Sequence, residues 1–247
     1  KRDKYKVYGE LINTYGYNLE PGSKELTALN YYTNEEITIP LDPTQTPGEN
    51  AQRYFAKYNK QKRTFEALTE LIQETADDIQ YLESISNALD IALSEADLAQ
   101  IKEELMQSGY IRRKHTKKKV KLTSKPMHYI SSDGYDMYVG KNNLQNEELT
   151  FSFANGNDWW FHAKGAPGSH VIVKSGGDEL PDRTFEEAGR LAAYYSKNRG
   201  ADKVEIDYIQ KKHVKKPNGA KPGFVVYYTN YSLVIDSDIS NIKNVQD

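Results

Sequence analysis

Thr46-Pro47-Gly48-Glu49 opens the stretch whose reading decides the fold, and the residues behind it are Ala51, Tyr54, Tyr58, Gln61, Phe65, Leu68, Ile72, Thr75, Ile79, Leu82, Ser86, Leu89 and Leu93. Thr46 and Glu49 have the spacing of a capping box, and Pro47 occupies the first helical position, so a helix is expected to start here. The residues that follow recur at alternating spacings of three and four. That is six heptads of a coiled-coil stripe, and it predicts a helix of roughly 45 residues, about 70 Å long. A stripe of that length requires a partner.

Working outward towards the N-terminus, Tyr5, Tyr8, Ile12 and Tyr15 share one stripe of a helix over residues 3–17, which Pro21-Gly22 ends. Residues 25–31 and 37–41 read as two short strands joined by Thr33-Asn34-Glu35-Glu36. The helix at 3–17 can return antiparallel on the long helix through this hairpin, but it covers less than half the stripe. The rest is expected to pair with chain upstream of Lys1 or with another copy. The chain begins Lys1-Arg2-Asp3-Lys4 with no initiator Met and no signal-peptide pattern, which reads as a fragment of a longer protein.

Towards the C-terminus, Ser94 is placed to cap a helix over residues 95–107 that Ser108-Gly109 ends. Seven basic residues then fall within ten, in Arg112-Arg113-Lys114-His115-Thr116-Lys117-Lys118-Lys119-Val120-Lys121. Such a run is either a solvated linker or a contact with an anionic surface. The domain boundaries are placed around it: residues 1–110 form the coiled-coil and middle region, 111–124 a basic linker, and 125–240 a compact α+β domain. Within that domain, residues 127–132 and 136–140 read as a hairpin around Ser132-Asp133-Gly134-Tyr135. Residues 146–154 read as a helix beginning at Asn146-Glu147-Glu148. Residues 158–164 and 170–174 read as strands, and Thr184-Phe185-Glu186-Glu187 as a second capping box opening a helix to about residue 197. Residues 203–209, 223–228 and 231–235 complete a mostly antiparallel sheet.

Composition narrows the function classes. Apolar residues make up 38% of the chain and mean hydropathy is -0.78. No run approaches the ~20 apolar residues of a membrane-spanning helix, so membrane insertion is not expected. Cysteine is absent, which excludes disulfide scaffolds, Cys-ligated zinc and thiol nucleophiles and suits a cytoplasmic setting. The net charge of -2 hides an asymmetry: residues 49–108 carry -6 and residues 109–247 carry +6. Only the second region is suited to an anionic partner.

Two constellations in that region carry chemistry. In Asp158-Trp159-Trp160-Phe161-His162-Ala163-Lys164, strand alternation puts Trp159, Phe161 and Ala163 on a core face. Asp158, Trp160, His162 and Lys164 fall on the other, ahead of a Gly-Pro loop, Ser169 and His170. This second face reads either as a polar sheet face with a satisfied histidine or as a site that stacks a base or grips a phosphate. Ser169-His170 lacks a G-x-S-x-G elbow, the His162/His170/Asp158 set lacks a metal-ligand spacing, and Gly165-Ala166-Pro167-Gly168 lacks the Gly-Lys-Ser/Thr end of a phosphate loop. Neither an enzyme nor a cofactor or metal site is expected. The second constellation is a Pro/Gly-punctuated loop carrying Lys211, Lys212, Lys215, Lys216 and Lys221, the manner in which phosphate backbones are commonly engaged.

The run Asp158 to Lys164 with Pro167-Gly168-Ser169-His170-Val171-Ile172-Val173 resembles the signature of the NFACT RNA-binding domain, of the family that includes bacterial RqcH, eukaryotic NEMF and the Gram-positive fibronectin-binding protein A. Gly140-Lys141-Asn142-Asn143-Leu144-Gln145-Asn146 resembles its turn before a helix, residues 214–223 its bacterial basic loop, and residues 37–58 its middle coiled-coil segment. The resemblance covers nearly the whole chain. It implies the C-terminal half of a ribosome quality-control factor that engages the obstructed large ribosomal subunit with tRNA during C-terminal tailing of stalled peptides, in the cytoplasm. The implied RNA contacts are Asn142, Asn143, Asp158, Trp160, His162, Lys164, Ser169, His170, the five loop lysines, and Arg112, Arg113, Lys117, Lys118 and Lys119 of the basic run. The family's other name implies a second reading, a cell-surface adhesin for fibronectin. Self-association through the coiled coil is a further expectation.

Overall fold

The computed structural model describes residues 2–112 and 123–245, which form two compact units, one up to Asp77 and one from Asp78 onward. Arg113, Lys117, Lys118 and Lys119 of the basic run lie outside the described residues.

In the first unit, α1 (Asp3–Tyr15) leads into the antiparallel hairpin β1 (Glu25–Asn30) and β2 (Glu35–Pro40), and α2 starts at Pro47. Leu11 and Ile12 of α1, Leu26, Ala28 and Ile39 of the hairpin, and Ala51 and Tyr54 of α2 form one buried cluster. The capping box forms as expected: Thr46 Oγ1 accepts from the Glu49 amide at 3.2 Å, and Glu49 Oε2 accepts from the Thr46 amide at 2.7 Å. The helix it opens, α2 (Pro47–Ile91), has the expected 45 residues. Beyond its first turns the stripe is open among the described residues, with Phe65 58%, Leu68 52% and Ile72 68% exposed.

In the second unit, the last turns of α2 pack with α3 (Glu95–Gln107) through Tyr81, Ile85, Ala88 and Ile101. Ser94 caps α3 by accepting from the Asp97 amide at 3.2 Å. A seven-stranded, wholly antiparallel sheet follows. It comprises β3 (Met127–Ile130), β4 (Asp136–Val139), β5 (Trp159–Ala163), β6 (Val171–Val173), β7 (Val204–Gln210), β8 (Tyr231–Ile235) and β9 (Lys243–Val245), in the order β8-β7-β5-β6-β4-β3-β9. Phe161, Val171, Val173, Met137 and Ile206 pack beneath α5 (Asp182–Tyr194), whose Ala188, Leu191 and Ala192 complete the larger core. On the opposite face Trp160, Ile172 and Ile209 pack against Leu149, Ala154 and Val214.

Three expectations are corrected and one strand is added. The helix over 146–154 starts earlier: α4 (Asn143–Glu148) is capped by Asn142, whose side chain accepts from the Gln145 amide, and it runs into a π turn, Leu149–Phe153. The Thr184 capping box does not form, because the β3–β4 turn takes its side chains. Thr184 Oγ1 donates to Ser131 at 3.0 Å, Glu187 accepts from the Ser132 amide at 2.8 Å, and α5 starts at Asp182 after Pro181. Residues 223–228 form no strand of the sheet, their only ladder contact among the described residues being a bridge from Val226 to Lys215. Finally, β9 had no expected counterpart; it lies on β3 as the sheet's outer strand.

Candidate nucleic-acid interface

Strand alternation sorts β5 as expected, but the second face of the sheet is not an open platform. Trp160 is fully buried. Its indole lies among three rings: His162 at 5.7 Å and 16°, His170 at 5.2 Å and 80°, and Tyr227 at 4.9 Å and 55° between centroids and planes. These side chains, the Gly165–Gly168 loop and residues 223–225 line a half-open cleft of about 280 Å³, closed on another side by Gln80, Glu83 and Ser84 from the end of α2.

The electrostatics of the cleft follow from this burial. Desolvation lowers His162 to about 4; Asp207 and the backbone of Gly168 pull the other way and do not compensate. Desolvation, reinforced by His162, takes His170 to about 3. Both imidazoles are therefore neutral at pH 7. His170 is locked in place: its Nδ1 meets Thr150 Oγ1 at 2.8 Å, and its amide donates to Asn146 Oδ1 at 3.0 Å. That close approach explains Gly140, where a Cβ would stand 2.0 Å from the same Asn146 oxygen. His162 is half-buried and turns its ring to the cleft. Asp207 accepts from Tyr227 Oη at 2.9 Å and Ser232 Oγ at 2.7 Å, which fixes the outer wall.

Asp158, Asn142 and Asn143 are tied into the fold by hydrogen bonds. Asp158 is buried and accepts from Lys174 Nζ at 2.7 Å, the Asn155 amide at 2.7 Å and the Ser175 amide at 3.0 Å. Asn142 caps α4 and donates to Gln100 at 2.7 Å. Asn143 donates to Ser84 at 2.8 Å and to the buried Glu104 at 2.9 Å, tying α4 to α2 and α3. Gly223, with φ at +80°, passes so close that a Cβ would meet Asn143 Oδ1 at 2.9 Å. Ser169 Oγ is buried and has no hydrogen-bond partner among the described residues, so His170 does not stand to it as a base to a nucleophile. Lys164 lies outside the cleft, paired with Glu205 at 2.6 Å. Among the described residues no cluster of three or more His, Asp or Glu side chains is placed to hold a metal ion.

The loop lysines divide into two sets. Lys216 is paired with Glu147 at 2.6 Å, and Lys221 with Asp78, lying 4.6 Å above the Tyr81 ring. Lys211 and Lys212, on one 3-10 turn after β7, and Lys215 form no ion pair among the described residues, and Lys212 and Lys215 are exposed. Lys215 exchanges two backbone hydrogen bonds with Val226, at 3.0 and 2.8 Å. The basic loop is thus laced to the cleft wall, between the wall residues Val225 and Tyr227. Arg112 is exposed, at the edge of the described chain. The sequence reading missed Tyr227, Asp207 and Asn146. The alternation Val225, Tyr227 was the available signal for the first of these.

Two family models match the chain: NFACT N-terminal and middle domains over residues 1–124, and the NFACT protein RNA binding domain over residues 125–228. The chain is 42% identical over 245 residues to the Rqc2 homolog RqcH of Streptococcus pneumoniae serotype 2 (strain D39), covering 99% of this chain and 44% of that protein. It is 41% identical over 246 residues to the Rqc2 homolog RqcH of Bacillus subtilis (strain 168), covering 97% and 42%. The chain therefore spans less than half the length of these curated relatives. A solved structure, the C-terminal of the fibronectin/fibrinogen-binding protein from Streptococcus suis, matches with a TM-score of 0.73 and 37% identity over 98% of this chain and 87% of that one.

Proposed function

Because the chain belongs to the NFACT family, we propose that it is the RNA- and ribosome-binding portion of a ribosome quality-control factor. In this reading it engages the obstructed large subunit together with tRNA while the stalled peptide is tailed at its C-terminus. It works in the cytoplasm, binds and positions, and catalyses nothing itself. The observation that carries the reading is the set of ammonium groups on Lys211, Lys212 and Lys215, which form no ion pair among the described residues and are carried on the turn and loop after β7, where Lys215 is bonded to the wall of an aromatic cleft. Cations at fixed positions next to rings are what a single-stranded RNA needs, since phosphates supply affinity and unstacked bases supply contact area. The relatives named Rqc2 homolog RqcH favour the same assignment.

A second reading, a fibronectin-binding adhesin, is favoured by the Streptococcus suis structure, whose protein is described as fibronectin/fibrinogen-binding. Co-sedimentation with large ribosomal subunits across a salt series, beside a fibronectin pull-down, separates the two. The expected result is binding to subunits that weakens linearly in log affinity against log salt, with a slope that becomes shallower by about 2 when Lys211, Lys212 and Lys215 are replaced by alanine. Binding to fibronectin with none to subunits at low salt would overturn the assignment.

A further inference from the structure

We propose that the cleft beside His162 is a receptor for a single unstacked nucleobase, with the strand's phosphates held outside it by the loop that carries Lys211, Lys212 and Lys215. This rests on the RNA-binding reading and deepens it.

The chemistry of the lining selects the ligand. Among the described residues no lysine or arginine lines the cleft, and its lining residue Glu83 is acidic, so a phosphate would enter against the local charge of these residues. The two imidazoles offer no compensating charge, because burial keeps both neutral at physiological pH. A neutral, planar, polar ring system meets no such penalty. It finds the His162 ring, which is already stacked parallel to Trp160 at 16° and half-buried at the mouth, as the next surface in a stack.

The lacing of the loop fixes the division of labour. Val225 and Tyr227 face the cleft, while Val226 between them is bonded to Lys215 through both backbone groups. Lys215 is thereby the loop lysine whose backbone is tied directly to the cleft wall, and the strand's phosphates are assigned to it and to Lys211 and Lys212. His170, bonded to Thr150 through Nδ1 and to Asn146 through its amide, is a positioning residue; His162 is the contact.

The test scans a short single-stranded oligoribonucleotide with one abasic nucleotide at each position in turn, measuring affinity for the intact chain by anisotropy. Removal of the base at one position is expected to weaken binding roughly tenfold or more, with the salt slope unchanged because every phosphate remains. In His162→Ala, with folding checked by circular dichroism, that penalty is expected to fall below about twofold while the phosphate-dependent affinity persists. If the oligonucleotide binds but no abasic position costs more than about twofold, or if the penalty survives in His162→Ala, the base receptor is refuted and the RNA-binding reading stands. If the intact oligonucleotide does not bind at low salt, both fall together.

Discussion

The two histidines illustrate how one residue type is put to two uses a few ångströms apart. Their rings meet at 5.6 Å and 87°, and each is held below its ordinary value by burial. The unfolded chain therefore binds protons on them from about pH 6.5 downward, whereas the folded chain does not until about pH 4 for His162 and about pH 3 for His170. Their contribution is complete above pH 6.5 and is lost as the pH falls through that window. We expect urea unfolding to show a stability lower at about pH 4.5 than at about pH 7.5 by on the order of 2 kcal/mol per imidazole, and His162→Gln to remove its share of the pH dependence. A flat profile above pH 4.5 would contradict the neutral, desolvated state of both rings. Asp97 acts outside that window. Burial pushes its carboxyl up, but Ser124, the Leu93 amide and Lys141 together outweigh burial and hold it at about 2. At this scale the sequence was a partial guide. Alternation placed Trp160 and His162 on one face, but nothing in one strand reveals that Leu149, Val214 and Tyr227, far along the chain, cover that face.

Among the elements, those specified by neighbours in sequence were legible and those specified by distant partners were not. The capping box at Thr46, the 45 residues of α2, the Ser94 cap and the two hairpins all follow from residues within a few positions of each other. The box at Thr184 has the same local pattern and fails, because Ser131, Ser132 and Asp133 compete for its side chains from 51 to 55 positions away. The start of α4 was misread for a related reason: an Asn pair before the first apolar turn is a cap as well as a polar contact, and Asn142 is both. The comparison gives a direct prediction. Thr46→Ala is expected to cost about 1 kcal/mol of stability through loss of the cap, read by urea unfolding followed at the helical circular-dichroism band. Thr184→Ala is expected to act instead through the β3–β4 turn and to leave the start of α5 unchanged by amide exchange.

For the molecule as a whole, the fold class was readable from periodicity, and the family followed from the strung signature of β5 and β6. The limits of the second unit were not. The strand β9 is three residues long and carries no alternation strong enough to announce itself, yet it pairs with β3 at Ile130↔Lys243, Tyr129↔Asn244 and His128↔Val245. At the other margin, β8 shields β7 along five residue pairs. The RNA-binding domain match ends at residue 228, and the sequence reading closed the domain at 240. A fragment cut at the first point would lose both outer strands, and one cut at the second would lose β9. Each cut bares a row of unpaired amides and carbonyls on a strand built to be interior, which is a template for pairing between copies. We expect fragment 125–228 to be recovered as multimers by size-exclusion chromatography at concentrations where fragment 123–247 elutes as a discrete species. The practical bearing is on how a weak RNA signal from a trimmed domain is to be interpreted. It would measure the stickiness of freshly exposed strand margins before it measured the affinity of the cleft.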